Sequence, residues 1–335
     1  MYEHITGGGL PADGALPGWW REARAVQLAV TALFRVWGRL PLVTTCDARL
    51  GHDGLPADEV VRVAPGTGLA ALSSLASRCG AALVVAPETG GVLARASAVV
   101  EQTGALLLGS PSAAVAAAAD KGALSRRLKE AGRPVPACRE AAGVGEAREA
   151  AAAIGYPVVV KPRLGAACEG VGKARDDAEL VEAMAAAHRV DGGPVLVQRL
   201  EPGEAMSVSL LAGGGRACAL CLNAQDVVLG PSASYRGGTV GVDHGLRDVA
   251  FLVARDAVEL VPGLTGLVGV DLIVGAGGCR VLEINPRVTT PVLALPRALQ
   301  LDLAPALWRA CVDGVLPPGP VAVRRPVPFS VEGHD

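Results

Sequence analysis

The chain has little net charge and no long apolar run. Half of its 335 residues are hydrophobic, and the formal net charge is only −2. A charge so close to zero gives no electrostatic footprint for nucleic acid or for an anionic membrane surface. No uninterrupted apolar stretch in the sequence reaches the length that spans a bilayer. We therefore expect neither nucleic acid nor a membrane as a partner.

The sequence also lacks the patterns of a disulfide-bonded, exported protein. Its eight cysteines are scattered and lie mostly in apolar surroundings, which favours reduced, buried thiols. Cys218 and Cys221 form a CxxC pair, but no second pair or neighbouring histidine completes a zinc site. Residues 1–9 lack the basic start and apolar stretch of a secretory signal. The expected location is the cytoplasm.

The order of segments predicts an α/β fold, with α+β character in the C-terminal part. Strand-like and helix-like segments alternate first, which favours a mainly parallel sheet, and long strands with turns follow later. A chain of this length is expected to divide into two or three lobes. The predicted units are an N-terminal α/β lobe at 1–111, a helix with a small lid lobe at 112–200, a larger lobe at 201–316 and a loosely packed, proline-rich tail at 317–335.

Local patterns place individual elements within these units. Apolar runs predict strands at 42–45, 60–63, 82–85, 105–108, 158–161 and 195–199. Helical spacing predicts helices at 23–37, 69–78, 112–128, 176–188, 249–261 and 301–312. Ser112 is the expected cap of the third of these helices.

A hairpin near the carboxyl end carries a candidate metal site. Residues 269–274 and 281–287 have strand patterns and are joined by a glycine-rich turn at 275–278. Alternation places Glu283, Asn285 and Arg287 on one face, which Asp271 on the partner strand can join. Two carboxylates and an amide oxygen suit Mg²⁺, and the arginine could hold developing negative charge. For the hairpin alone, a solvated acidic face is an equally good interpretation.

A second pattern suits phosphate binding. Lys161 ends an apolar strand and is followed by Pro162 and a glycine-rich segment at 165–172, where small residues let backbone N–H groups approach a polyphosphate. The segment matches neither the Walker pattern nor GxGxxG, and an ordinary turn is the alternative. Upstream, Lys121 follows Asp120 and could reach the same phosphates. The alternative for Lys121 is a solvated helical lysine.

A third pattern indicates a hinge between lobes. The apolar strand at 195–199 runs into Pro202 and Gly203, so its exposed backbone groups could bind the edge of an adenine base. Glu204, just beyond the hinge, could accept hydrogen bonds from ribose hydroxyls. An exposed linker with surface acids is the alternative.

Taken in order, these parts resemble the ATP-grasp superfamily over residues 112–310. The spacing of Asp271, Glu283, Asn285 and Arg287 is similar to that in biotin carboxylase and carbamoyl phosphate synthetase. The resemblance implies an ATP-grasp architecture with ATP and Mg²⁺ or Mn²⁺ as cofactors. It implies metal binding by Asp271, Glu283 and Asn285, and catalytic roles for Arg287 and Lys161. It implies nucleotide binding by Lys121, Lys161, Gly165, Glu169, Gly170, Gly172, Gln198, Arg199, Leu200, Glu201 and Glu204.

Segments at 2–9, 47–49, 86–89, 223–225 and 235–238 look like those of the tyramine-glutamate ligase group of methanofuran and methylofuran synthesis. This resemblance implies that ATP activates the γ-carboxylate of glutamate as an acylphosphate, which the amine of tyramine or tyrosine then attacks, with release of ADP and phosphate. Candidate substrate-binding residues are Gly7, Gly8, Gly9, Glu88, Tyr235, Arg236, Gly237, Thr289 and Thr290. For each of them a purely structural role is an equally good interpretation. A homodimer is a possible assembly.

Other functions stay open from the sequence. Another ATP-grasp carboxylate-amine ligase or a carboxylating enzyme would share the nucleotide site and differ in the acceptor. A nucleotide-binding regulatory module without catalysis is a third interpretation, although the intact acidic hairpin argues against it. The pattern does not choose between tyramine, tyrosine and another amine.

Overall fold

The computed structural model describes residues 1–51 and 54–331. The N-terminal lobe contains parallel strand pairs flanked by helices. Its elements are β1 (Tyr2–Glu3), α1 (Trp20–Trp37), β2 (Val43–Asp47), β3 (Glu59–Val63), α2 (Gly68–Ala76), β4 (Ala81–Ala82), β5 (Val84–Val85), α3 (Val92–Thr103) and β6 (Leu106–Leu107). β1 pairs with β5, β2 with β3, and β4 with β6, all in parallel. The predicted parallel α/β character of this region is confirmed.

The middle of the chain forms the small lobe. Before it come α4 (Ser112–Ala119) and α5 (Lys121–Glu130), which both contribute buried residues to the core of the larger lobe. The small lobe itself contains β7 (Cys138–Ala141), α6 (Val144–Ile154), β8 (Val158–Pro162), β9 (Gly172–Ala174), α7 (Asp177–Asp191) and β10 (Val195–Arg199). The four strands form an antiparallel sheet in the order β7-β10-β8-β9. β7 and α6 were not predicted, because their sequence is rich in alanine and polar residues and carries weak periodicity.

The single helix predicted over 112–128 is two helices. Asp120 interrupts it with an extended backbone, φ −77° and ψ 94°, and its carboxylate accepts a hydrogen bond from Ala123 N at 3.0 Å. Asp is a preferred N-cap because its side chain satisfies a backbone N–H of the first turn. Ser112 is not a cap, as it is the first residue of α4 and donates its hydroxyl to Glu101 at 2.6 Å. The break places Lys121 in the first turn of α5.

The larger lobe is built on a six-stranded antiparallel sheet in the order β15-β14-β11-β12-β13-β16. Its elements are β11 (Glu204–Gly213), β12 (Arg216–Leu229), β13 (Ala233–Val240), α8 (Arg247–Glu259), β14 (Gly266–Gly275), β15 (Gly278–Asn285), α9 (Leu295–Ala298), α10 (Leu303–Val312) and β16 (Val327–Ser330). Successive residues of β11 face opposite sides of the sheet. Leu210 accordingly belongs to the core that α8 covers, and Leu211 to the core that α10 covers.

The end of the chain is more ordered than the sequence suggested. β16 pairs with the β13 segment from Gly237 to Val240, so its backbone groups satisfy the edge of the sheet. The expectation of loose packing is wrong for this strand, and residues 332–335 of the predicted tail lie outside the described residues. Within residues 1–51 and 54–331, no helix combines the length and the apolar character needed to cross a membrane. All eight cysteines are free thiols.

Candidate active site

The acidic hairpin forms as predicted. β14 and β15 are antiparallel, with Asp271 opposite Glu283 and a register shift immediately after Asp271. Asn285 Nδ2 donates a hydrogen bond to Asp271 Oδ2 at 3.0 Å. The three residues predicted to bind metal therefore lie together on one face of the hairpin.

The two carboxyls differ in charge state. Burial, and then the charge of Glu283, raise the pKa of Asp271 to about 7. Burial also disfavours ionisation of Glu283, but Lys121 and Lys161 outweigh it and lower the pKa of that carboxyl. Glu283 is thus an anion at neutral pH, whereas Asp271 holds its proton more tightly because it is buried beside that anion.

The donor set fits a hard divalent cation. No group of three or more His, Cys, Asp or Glu side chains in residues 1–51 and 54–331 is arranged to hold a metal ion. The hairpin instead offers two carboxylates and an amide. Mg²⁺ is commonly bound by one or two carboxylates and takes its other ligands from water and substrate phosphates. Asp271, Glu283 and Asn285 therefore suit an ion that arrives with a phosphorylated substrate.

Two buried lysines converge on the same carboxylate. Lys121 Nζ lies 3.2 Å from Glu283 Oε2 and donates a hydrogen bond to Gly165 O at 2.6 Å. Lys161 Nζ donates to Leu282 O at 3.4 Å, and burial lowers its pKa. The side chain of Lys121 is only 8% exposed, so the alternative of a solvated helical lysine is wrong. The residues contributed by α5, β8 and β15 form one charged cluster.

The glycine-rich loop at 165–172 covers this cluster. Burial, followed by the charges of Glu283 and Asp271, raises the pKa of the Cys168 thiol to about 12, so the loop faces the carboxylates. Ala167 and Cys168 have positive φ angles of 55° and 60°, and Glu169 N donates to the carbonyl of residue 166 at 3.1 Å. The tight turn thus places two non-glycine residues in a conformation that costs about 1–2 kcal/mol each.

The end of the loop is attached to the larger lobe. Lys173 N donates to Gly230 O, and Ala233 N donates to Val171 O, both at 2.8 Å. Gly172 sits so close to the tip of the β12–β13 hairpin that an added Cβ would lie 2.4 Å from Pro231 O. These contacts attach the end of the loop firmly to the β12–β13 hairpin.

The hinge residues have mixed environments. Gln198 is buried in β10, and Arg199 N donates to Ala137 O at 2.8 Å. Glu201 accepts from Arg280 Nε at 3.2 Å, which occupies its side chain. Glu204 is 69% exposed and lies 4.0 Å from a ring nitrogen of His244. The nucleotide-binding roles of Gln198 to Glu201 and of Glu204 stay predictions.

Arg287 connects the hairpin to the N-terminal lobe. Its Nε and a terminal nitrogen donate to the two carboxylate oxygens of Glu88 at 2.9 and 3.0 Å. Burial opposes the charge of Arg287, but Glu88 overcomes this and raises the pKa of the guanidinium. Glu88 is only 3% exposed and is therefore a buried acid. A bidentate pair of this kind fixes the plane of the guanidinium.

The remaining substrate candidates split into two groups. Tyr235 borders the acidic cluster, because burial and then the charges of Asp271 and Glu22 raise the pKa of its phenol. Arg236 is exposed, and its carbonyl accepts from Val331 N at 3.1 Å.

The other candidates have packing roles. A Cβ added at any of the candidate glycines would collide with a neighbouring atom. The nearest atom would be Glu3 O at 2.3 Å for Gly7, Val63 Cγ1 at 2.6 Å for Gly8, His4 Nδ1 at 2.1 Å for Gly9 and Phe329 O at 2.3 Å for Gly237. Thr289 packs against Gly269, where an added Cβ would lie 2.8 Å from Thr289 Cγ2. Substrate contacts by this second group stay predictions.

Sequence reasoning missed two residues of the site. Gln225 Nε2 on β12 donates to Asp271 Oδ1 at 3.0 Å, and Glu22 on α1 accepts from Thr290 Oγ1. Gln225 lies in a segment noted for resemblance alone, and strand pairing across β11 was needed to bring it near Asp271. Glu22 is far from the hairpin in sequence and carries no local signal.

Comparison with known proteins identifies the class. Residues 118–291 match the model of the ATP-grasp domain, and residues 40–115 match that of the pre ATP-grasp 3 domain. The first match covers more than half of the chain. The chain therefore belongs to the ATP-grasp family, as the order of its motifs suggested.

Three similarities refine this placement. The chain is 41% identical over 100 residues to tyramine–L-glutamate ligase of Methanocaldococcus jannaschii, which covers 30% of this chain and 31% of that ligase. It is 30% identical over 253 residues to the carbamoyl phosphate synthase large chain of Kineococcus radiotolerans, covering 69% of this chain and 22% of that one. An ATP-grasp superfamily protein of Archaeoglobus fulgidus superposes with a TM-score of 0.70 and 22% identity, covering 92% and 86% of the two chains. The match to the ligase thus spans about a third of that relative's length.

Proposed function

We propose that the chain is an ATP-dependent ligase that joins the γ-carboxylate of glutamate to the amine of tyramine or tyrosine. The observation that carries this proposal is the convergence of Lys121, Lys161 and Glu283 with Asp271 in one site closed by a glycine-rich loop. The similarity to tyramine–L-glutamate ligase supports the choice of substrates. The product would belong to the synthesis of a methanofuran-like one-carbon carrier.

The two lysines and the glycine-rich loop would act in the binding of the ATP phosphates. Lys121 and Lys161 would bind the phosphates of ATP and offset their negative charge. A divalent ion held by Asp271, Glu283 and Asn285 would supply Lewis-acid stabilisation of the phosphates. The closed loop at 165–172 excludes water that would hydrolyse an activated acid. The ion pair between Lys121 and Glu283 would hold this lysine next to the metal ligands, where it can contact the same phosphates.

The reaction needs no nucleophilic side chain of the protein. A carboxylate oxygen of glutamate attacks the γ phosphorus, the bond to the β,γ-bridging oxygen breaks, and ADP leaves. The amine nitrogen then attacks the acyl carbon, phosphate leaves, and the nitrogen loses a proton. Arg287, held by Glu88, would stabilise the negative charge that develops on the carbonyl oxygen. The chain thus contributes positioning and electrostatics.

A carboxylating ATP-grasp enzyme is the second candidate. The similarity to a carbamoyl phosphate synthase large chain over 69% of this chain supports it. It would use the same lysines and hairpin with a different acceptor.

The test is incubation of the purified protein with ATP, Mg²⁺, glutamate and a panel of amines, with ADP, phosphate and product mass measured. Ligation requires that phosphate release depend on both glutamate and an amine and yield the amide. Release that depends on bicarbonate instead supports the carboxylating enzyme. Nucleotide binding without turnover under all conditions supports a regulatory module and contradicts the proposal.

A further inference from the structure

A second acidic residue of the N-terminal lobe, besides Glu88, enters the site. Glu22 lies in the first turn of α1, and its carboxylate accepts a hydrogen bond from the hydroxyl of Thr290. Thr290 follows the hairpin three residues after Arg287, and α1 packs against the short 3-10 helix Thr290–Leu293. The hydrogen bond from Thr290, just beyond the acidic hairpin, therefore fixes the position of the Glu22 carboxylate.

Glu22 shares its surroundings with the reaction centre. Its charge acts on Arg287, on the Tyr235 phenol and on the Cys168 thiol. The charge of Asp271 acts on the same phenol and the same thiol. Glu22 and the acidic hairpin thus lie within electrostatic range of the same two side chains, Tyr235 on β13 and Cys168 on the glycine-rich loop.

Glu88 and Glu22, the two acids of the N-terminal lobe, differ in how their negative charge is stabilised. Glu88 has a bidentate arginine, whereas Glu22 forms no ion pair within the part of the chain that the structure describes. Burial raises the pKa of Glu22, and neither the Thr290 hydroxyl nor the charge of Arg287, which already pairs with Glu88, offsets it. An arriving cation would relieve this cost. Both substrates of the proposed ligase carry a primary ammonium group that would supply such a cation.

We propose that Glu22 is the binding residue for a substrate ammonium group, oriented by Thr290, and this inference rests on the proposed ligase function. The ammonium belongs either to the α-carbon of glutamate or to the acceptor amine before its proton is lost. Both sources have the same chemistry, a primary ammonium next to an acyl-transfer centre. They differ in which substrate depends on the carboxylate.

The experiment measures kcat and KM of the Glu22→Gln variant for glutamate, for glutarate and for tyramine, with saturating ATP and Mg²⁺. Glutarate is a five-carbon dicarboxylate that lacks the ammonium. If Glu22 binds the glutamate ammonium, the variant raises the KM of glutamate by about ten- to hundred-fold and leaves that of glutarate unchanged. If Glu22 binds the acceptor, the KM of tyramine rises by a similar factor, and the preference for glutamate over glutarate is kept.

Controls separate binding from folding. Glu149→Gln removes an exposed acid on α6 and should leave every constant at the wild-type value. Thr290→Val keeps the carboxylate and removes its donor, so it should raise the same KM as Glu22→Gln, by a smaller factor. Thermal unfolding of each variant verifies that it is folded.

The role of Glu22 and the ligase activity can fail independently in these measurements. Unchanged KM values in a folded Glu22→Gln variant, with an active wild type, overturn the role of Glu22 and leave the ligase proposal intact. A wild-type protein that ligates no acid to any amine overturns both.

Discussion

Asp271 lies directly opposite Glu283 in the ladder between β14 and β15, yet the pKa values of the two carboxyls move in opposite directions. Lys121 and Lys161 together lower the pKa of Glu283, whereas the hydrogen bonds from Gln225 and Asn285 do not offset the burial of Asp271 beside that anion. A divalent cation would stabilise the negative charge of both carboxylates.

Glu283→Ala should abolish turnover and leave the fold intact. The substitution removes a proposed metal ligand and also the partner of Lys121, which is 3.2 Å away. Loss of a charge in a preorganised site of this kind costs on the order of a hundredfold or more in kcat. Steady-state turnover and circular dichroism test the prediction. Glu182→Ala, at an exposed position on α7, is the control, and near-normal turnover of the Glu283 variant would remove the metal assignment.

Glu88→Ala should destabilise the protein by about 3–5 kcal/mol, because it leaves the mostly buried guanidinium of Arg287 without its partner. The double variant Glu88→Ala with Arg287→Ala should lose less stability than the sum of the two single variants. Urea unfolding of the four proteins measures this coupling. Strict additivity would mean that the 2.9 and 3.0 Å contacts contribute no interaction energy.

Gly172→Ala should weaken ATP binding. The new Cβ would lie 2.4 Å from Pro231 O, a backbone atom that cannot move independently, so the loop would have to leave its closed position. We expect the KM of ATP to rise on the order of tenfold, with more ATP hydrolysed without product, because the site is less well sealed. Gly145→Ala is the matched control, since nothing lies within 4 Å of its added Cβ. Unaltered coupling of hydrolysis to product in the Gly172 variant would contradict the lid role.

Acid should destabilise the N-terminal lobe through His4. Burial, and secondly Arg95, lower the pKa of this imidazole from 6.5 to about 4, while Tyr2 contacts its Nδ1 at 3.0 Å. The unfolded chain binds the proton more tightly, so stability is full above pH 6.5 and falls as the pH drops toward 4. The loss amounts to about 3 kcal/mol.

The measurement is the free energy of unfolding in urea at pH 7.5 and pH 5. His4→Gln keeps an acceptor for Tyr2 and should show a smaller pH dependence than the wild type, even if it is less stable at pH 7.5. His188→Gln, at an exposed position on α7, should retain the full dependence. Equal pH dependence in the wild type and in His4→Gln would disprove the role of His4.

The sequence predicted the elements whose signals are local. Apolar runs located most strands to within one or two residues, as at 195–199, where prediction and structure coincide. The alternation around Glu283 and Asn285 was sufficient to place them on one face with Asp271. An ambiguous local signal gives a wrong prediction at Ser112: the sequence predicts it as the cap of one alanine-rich helix, but Asp120 caps a second helix and divides the segment.

The acidic hairpin, the two lysines Lys121 and Lys161 and the glycine-rich loop follow from the sequence by itself, because each depends on strand periodicity or chain neighbours. Only the tertiary structure decided that Glu88 holds Arg287, that Gln225 contacts Asp271 and that Glu22 meets Thr290. Those contacts join residues 46 to 268 positions apart. Packing of lobes and strands creates such contacts, and it leaves no periodic trace in the residues that make them.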